Sequence, residues 1–178
     1  TDSQPKPRRA RPRSPAQGFA FLQVEAAHGV VPEWCAALAA GASFRRGLWG
    51  VRGWFGYLTP NLGHEAGATV RIQALDLAAS LEIWPLRGLG LGLGIELFLV
   101  RGQGVDVASP RVDWTAQPAP HVALRARIWG RGPGVLELTG RALWSPQPSR
   151  FRLESGETLY QAEAFAFQLG LAGSLQFL

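Results

Sequence analysis

Three observations predict an all-β protein, an eight-stranded antiparallel up-and-down barrel. Short apolar runs with period two recur through the chain, bounded by Gly, Pro, Asn or Arg-Gly. No stretch of useful length repeats at the helical period. Eight such runs fit into residues 19–178, enough strands to close a sheet on itself.

Each segment sets large apolar residues against small or polar ones. In the first, Leu22, Val24 and Ala26 alternate with Gln23, Glu25 and Ala27. The second opposes Trp34, Leu38 and Phe44 to Cys35, Gly41 and Ser43, and its Ala36–Ala42 stretch is strand by parity despite helical propensity. The third places Trp49, Val51, Phe55 and Tyr57 opposite Gly50, Arg52, Trp54 and Gly56. In the fourth, Leu75, Leu77, Leu81 and Ile83 face away from Asp76, Ala78, Ser80 and Glu82. Its earlier part, Val70 and Ile72, has the opposite parity and predicts a bulge near Ala74. The fifth, GLGLGLGIELFLVRG, puts Gly90, Gly92, Gly94 and Glu96 on one face and Leu89, Leu91, Leu93, Ile95, Leu97 and Leu99 on the other. The sixth sets Val122, Leu124 and Ile128 against Arg125 and Arg127, and the seventh Leu136, Leu138 and Trp144 against Glu137 and Arg141. The eighth opposes Phe165, Phe167, Leu169, Leu171, Leu175 and Phe177 to Ala166, Gln168, Gly170 and Ser174.

Residues 1–18 are Pro-rich and charged, without large apolar side chains, and are expected to form a disordered linker ahead of a barrel over 19–178. The net charge of +5 sits mostly there: Lys6, Arg8, Arg9, Arg11 and Arg13 against Asp2. The rest is nearly neutral, so no nucleic-acid partner is expected. The single Cys35 excludes an internal disulfide and reads as a buried thiol. No apolar run is long enough for a membrane helix.

Which face points inward decides the protein's solvent. A soluble barrel needs a polar outer face, yet the polar set here is mostly Ala, Gly and Ser, with one lysine in the whole chain. A narrow eight-stranded interior has no room for so many Leu, Phe and Trp side chains. Turned inside out, the glycines make room in the lumen and the leucines meet acyl chains, while closure satisfies every backbone hydrogen bond. The fold class is therefore a transmembrane β-barrel; a soluble lipocalin-like barrel follows only if this assignment is reversed.

Connections alternate between short ("RRG", "PLRG", "RGPG") and long ("TPNLGHEAGAT", "RGQGVDVASPRVDWTAQPAP", "SPQPSRFRLESGETLY"). Trp34, Tyr57 and Trp144 at one end, and Phe44, Trp49 and Phe177 at the other, share the lipid-facing parity of an aromatic girdle. Trp84 and Trp129 have the wrong parity and read as turn-packing residues. The final FAFQLGLAGSLQFL resembles the terminal strand by which outer-membrane barrels are recognised, although Leu178 follows the aromatic. On these features the chain from Phe19 to Leu178 resembles the small eight-stranded outer-membrane β-barrels of the OmpA transmembrane-domain, OmpX and OmpW type. The resemblance implies a Gram-negative outer membrane, both termini in the periplasm, no cofactor, and as partners outer-membrane lipid, lipopolysaccharide and the barrel-assembly machinery.

The expected lumen holds Glu25, Asp76, Glu82, Glu96 and Glu137 with Arg52, Arg125, Arg127 and Arg141. Buried charges are costly alone, so these should pair into a polar plug. Such a barrel anchors or displays; the tail then tethers a periplasmic or cell-wall partner. A second reading is a narrow channel for small solutes. A third is an outer-leaflet lipid-modifying enzyme using Ser109, Asp113 and His121, or His64 with Glu65, but nothing in their spacing fixes a catalytic geometry, so no enzyme is expected. His28, His64 and His121, with Glu33, Glu65, Asp106 and Asp113, should lie near the outer rim without metal-ligand spacing, and no metal site is expected.

Overall fold

The computed structural model describes residues 15–65, 68–105, 112–152 and 158–178. Eight strands close into a barrel: β1 (Ala16–His28), β2 (Trp34–Arg46), β3 (Trp49–Glu65), β4 (Ala68–Leu86), β5 (Leu89–Val105), β6 (Val112–Arg131), β7 (Gly134–Trp144) and β10 (Phe165–Gln176). All neighbours are antiparallel and consecutive, with β1 closing on β10 through Phe19↔Gln176 to His28↔Phe167. A short hairpin, β8 (Arg150–Arg152) and β9 (Thr158–Gln161), interrupts the path from β7 to β10.

The large apolar set faces outward. Leu93 is 67% exposed and Leu81 66%, whereas Arg125 and Glu96 are at 1% and 0%. Small wall residues explain how the interior accommodates what it holds. A Cβ on Gly94 would lie 2.7 Å from the His121 ring, one on Gly90 2.9 Å from Trp84, and one on Gly41 2.7 Å from Phe21. The glycines of the alternating run are thus the inner surface against which neighbouring rings pack.

Several details differ from the sequence expectations. Residues 1–14 of the expected linker lie outside the described residues, but Ala16–Gly18 belong to β1 and pair with Arg46–Phe44. β4 has no bulge at Ala74; its pairing with β5 runs unbroken from Thr69 to Ile83. The extra residue sits instead on β3, where the register against β4 shifts between Leu58 and Asn61. Val70 and Ile72 simply point inward, because this end of the barrel has a dry interior of its own. The expected long connections are largely strand, since β3, β4, β5 and β6 extend well past the apolar belt.

At its upper end β6 outruns β7. Their ladder stops at His121↔Leu143, while β6 stays paired with β5 as far as Val112. Along that unmatched edge lie Pro118 and Pro120, and the β7–β8 connection closes over it: Ser145 Oγ donates to the Pro118 carbonyl at 3.3 Å, and Ser149 N–H to Gln117 Oε1 at 3.1 Å.

Candidate functional site: the barrel interior

The lumen is layered. Nearest the three tight turns, Trp84 is buried beneath Arg45, whose guanidinium stacks 4.7 Å from the ring centroid. The next layer carries ion pairs between distant strands. Arg52 on β3 donates to Glu137 on β7 at 3.0 Å, and its guanidinium lies 3.5 Å from the Phe21 ring centroid. Arg125 on β6 contacts Glu82 on β4 with Nε 2.6 Å from Oε1, although the angle gives no aligned hydrogen bond. Gln23 donates to Thr139 at 3.1 Å and, more weakly at 3.4 Å, accepts from Arg52.

At mid-height Arg141 donates to Glu25 and lies 3.5 Å from Glu96. Glu96 also neighbours Asp76 and Glu25. Trp54 fills the centre, its ring 4.5 Å from the Arg141 guanidinium and 5.9 Å from that of Arg125. His121 packs at 5.5 Å against the same ring, with Nδ1 3.8 Å from Glu96 Oε2. The arrangement alternates aromatic faces with guanidinium planes, which suits arginine because its cation is planar and weakly hydrated.

Above this lies an apolar layer that alternation alone did not predict. Leu58, Ile72, Phe98 and Val100 are fully buried, and Val30 and Val31 from the β1–β2 connection fold in over them. Phe151 of β8 lies over Gly102, where a Cβ would meet its ring at 2.5 Å. Tyr160 of β9 packs alongside and donates its hydroxyl to the Val30 carbonyl at 3.2 Å. The sequence signals for this layer are the parity of Val70 and Ile72 and the apolar Phe98 and Val100 on the Glu96 face of the fifth segment.

Eight of the nine charged residues expected in the lumen are buried there: Glu25, Arg52, Asp76, Glu82, Glu96, Arg125, Glu137 and Arg141. Arg127 shares their face, opposite Glu137 and beside Arg45 and Trp84, but it stands at the turn-end mouth of the lumen and is exposed there. The register shift between Arg127 and Trp129 turns Trp129 outward, 54% exposed, against its expected inward parity, while its ring stays beside Gly134 at the β6–β7 turn. Of the expected girdle, Trp34, Phe44, Trp49, Trp144 and Phe177 are exposed and Tyr57 is half-buried. Trp114, within an expected loop, is also exposed on β6.

His121 is not on a rim loop but inside the barrel, whereas His28 lies at the end of β1, 3.8 Å from Glu163. His64 and Glu65 end β3, and Asp113 is exposed near the start of β6. Ser109 and Asp106 lie outside the described residues. Among the described residues no group of three His, Cys, Asp or Glu side chains is arranged to hold a metal ion.

No protein-family model and no curated protein sequence matches the chain. Solved structures share its fold. Neisserial surface protein A aligns with a TM-score of 0.54 at 11% identity, over 94% of this chain and 100% of that one. A major outer membrane protein from Thermus thermophilus gives 0.60 at 16%, over 89% and 99%. Ail, the attachment invasion locus protein of Yersinia pestis, gives 0.55 at 8%, over 91% and 97%. With a closed ring of eight antiparallel strands, an apolar outer wall and these likenesses, the chain has the fold of the small outer-membrane β-barrels.

Proposed function

We propose that this protein is an integral barrel of a Gram-negative outer membrane that anchors or displays, with its interior closed to solute. The observation that carries this reading is the inversion of side chains: bulky hydrocarbon outside, ion pairs and rings inside. Hydrocarbon is the solvent that accepts such a wall, and a closed ladder leaves no backbone group unpaired in it. The charged layers act as a polar plug, and the apolar layer above them adds a second barrier. Outer-membrane lipid and lipopolysaccharide surround the wall, the assembly machinery inserts it, and the Pro/Arg-rich segment before β1 tethers a periplasmic or cell-wall partner.

Planar-bilayer recording tests the closed interior. The expected result is a silent membrane after insertion confirmed by heat-modifiable migration. Discrete conductance steps altered by Glu96→Gln would replace this reading with a narrow channel. A purified chain that stays monomeric and soluble without detergent would remove the membrane assignment itself.

A further inference from the structure

The three tight turns share a feature that the barrel does not require. Each places an arginine directly before a glycine in the left-handed region: Arg46 before Gly47 (φ 64°), Arg87 before Gly88 (φ 94°) and Arg131 before Gly132 (φ 59°). The glycine answers to turn geometry, because positive φ strains any residue with a Cβ. The arginine does not; tight turns favour Asn, Asp or Gly at such positions.

Two more arginines at this end, Arg45 and Arg127, face the mouth of the lumen and stand inside the ring. There Arg45 is repelled by Arg127 and attracted by Glu137 and Glu82, so both cations belong to the charge set of the interior. The nearest carboxylates, Glu82 and Glu137, are buried and already matched to Arg125 and Arg52. Among the described residues no exposed acidic side chain lies at this end. The opposite end is mixed, with Glu33, Asp113 and Glu163 exposed beside Arg71, Arg150 and Arg152. Arg46, Arg87 and Arg131 also border the apolar belt, next to exposed Phe44, Leu48, Trp49, Leu86 and Trp129.

We infer that this arginine ring binds the phosphates of anionic phospholipid headgroups in the periplasmic leaflet, a site built for phosphatidylglycerol-type lipid rather than zwitterionic lipid. The inference rests on the membrane reading above. A guanidinium meets a phosphate through two parallel N–H donors, and a position at the edge of the hydrocarbon belt is where headgroup phosphates lie. Three outward cations, with no exposed acidic side chain among the described residues at their end, supply a field that anionic lipid neutralises.

The test places the full chain in lipid nanodiscs, where both leaflets are accessible, and compares its association with spin-labelled phosphatidylglycerol and phosphatidylcholine. The expected preference for phosphatidylglycerol is about three-fold at low ionic strength, falling toward unity in about 1 M NaCl. The R46Q/R87Q/R131Q variant, with heat-modifiable folding retained, should lose at least half of that preference. A preference near unity in the unmodified protein, or one that the triple variant leaves intact, overturns the inference. So does its loss in R8Q/R9Q/R11Q/R13Q alone, which would assign the binding to the segment before β1. Loss in a few millimolar inorganic phosphate, but not in NaCl of equal ionic strength, would assign the ring to free phosphate instead. A chain that never enters the discs fails the membrane reading, a result distinct from all of these.

Discussion

Arg125 is held between the Glu82 carboxylate and the face of Trp54, and it is almost entirely buried. Such a charge is tolerable only while its partner remains, because the alternative is an uncompensated ion in a dry interior. Arg125→Leu should therefore cost about 3–5 kcal/mol by stranding Glu82, whereas R125L/E82L should recover most of that loss. Urea unfolding of the barrel in vesicles, scored by heat-modifiable migration, reads both variants. Equal destabilisation by single and double variants would mean that the two side chains do not act as a pair. Which residues carry charge toward the lumen is legible from strand parity. Which acid meets which arginine is not, because Glu82 and Arg125 come from β4 and β6 and meet across the barrel axis. Trp129 shows another limit: the register shift after Arg127 turns its ring outward, and nothing in the sequence signals it as a Gly-based bulge would.

At the scale of the strand, alternation specified the wall well wherever hydrocarbon is the outer solvent. The run from Leu89 to Leu99 is continuous strand with each leucine outward, and β10 keeps the same rule from Phe165 to Leu175. Past the belt the rule loses its cause. There the outside meets water and the inside is dry, so apolar residues switch faces, and Val70 and Ile72 read as a bulge that is absent. The wall makes its own prediction. Leu93→Arg, near the belt's middle, should destabilise the folded barrel in vesicles by about 2–4 kcal/mol, while Leu86→Arg, beside the turn at the belt's edge, should cost about 0–1 kcal/mol. Equal costs at both positions would show that Leu93 does not face hydrocarbon.

Over the whole molecule the interior carries two kinds of layer, ion pairs and rings toward the tight turns and apolar side chains toward the β8–β9 hairpin, and the proposed function makes each of them a barrier. Barriers in series behave differently from a single gate, since removing one leaves the other in place. Arg141→Gln should therefore remain silent in planar bilayers even though it disrupts the link to Glu25 and Glu96. Adding Phe98→Ser and Phe151→Ser to it should be needed before ions pass. Conductance from Arg141→Gln alone would reduce the apolar layer to packing without a barrier role. The closed eight-stranded form was legible in the sequence because it needs only a count of alternating segments. The second barrier was not, because its members come from a connection, a short hairpin and strand ends whose proximity exists only after folding.

The unequal lengths of β6 and β7 bring a hazard that the two prolines answer. A strand standing taller than its neighbour offers a free row of donors and acceptors, and two such molecules side by side in a bilayer are already held parallel and at matching height. Pro118 and Pro120 carry no N–H, and the Pro118 carbonyl is engaged by Ser145. The prolines and the connection from β7 thus blunt the part of the row nearest the barrel, where a neighbouring copy would otherwise find the most regular template.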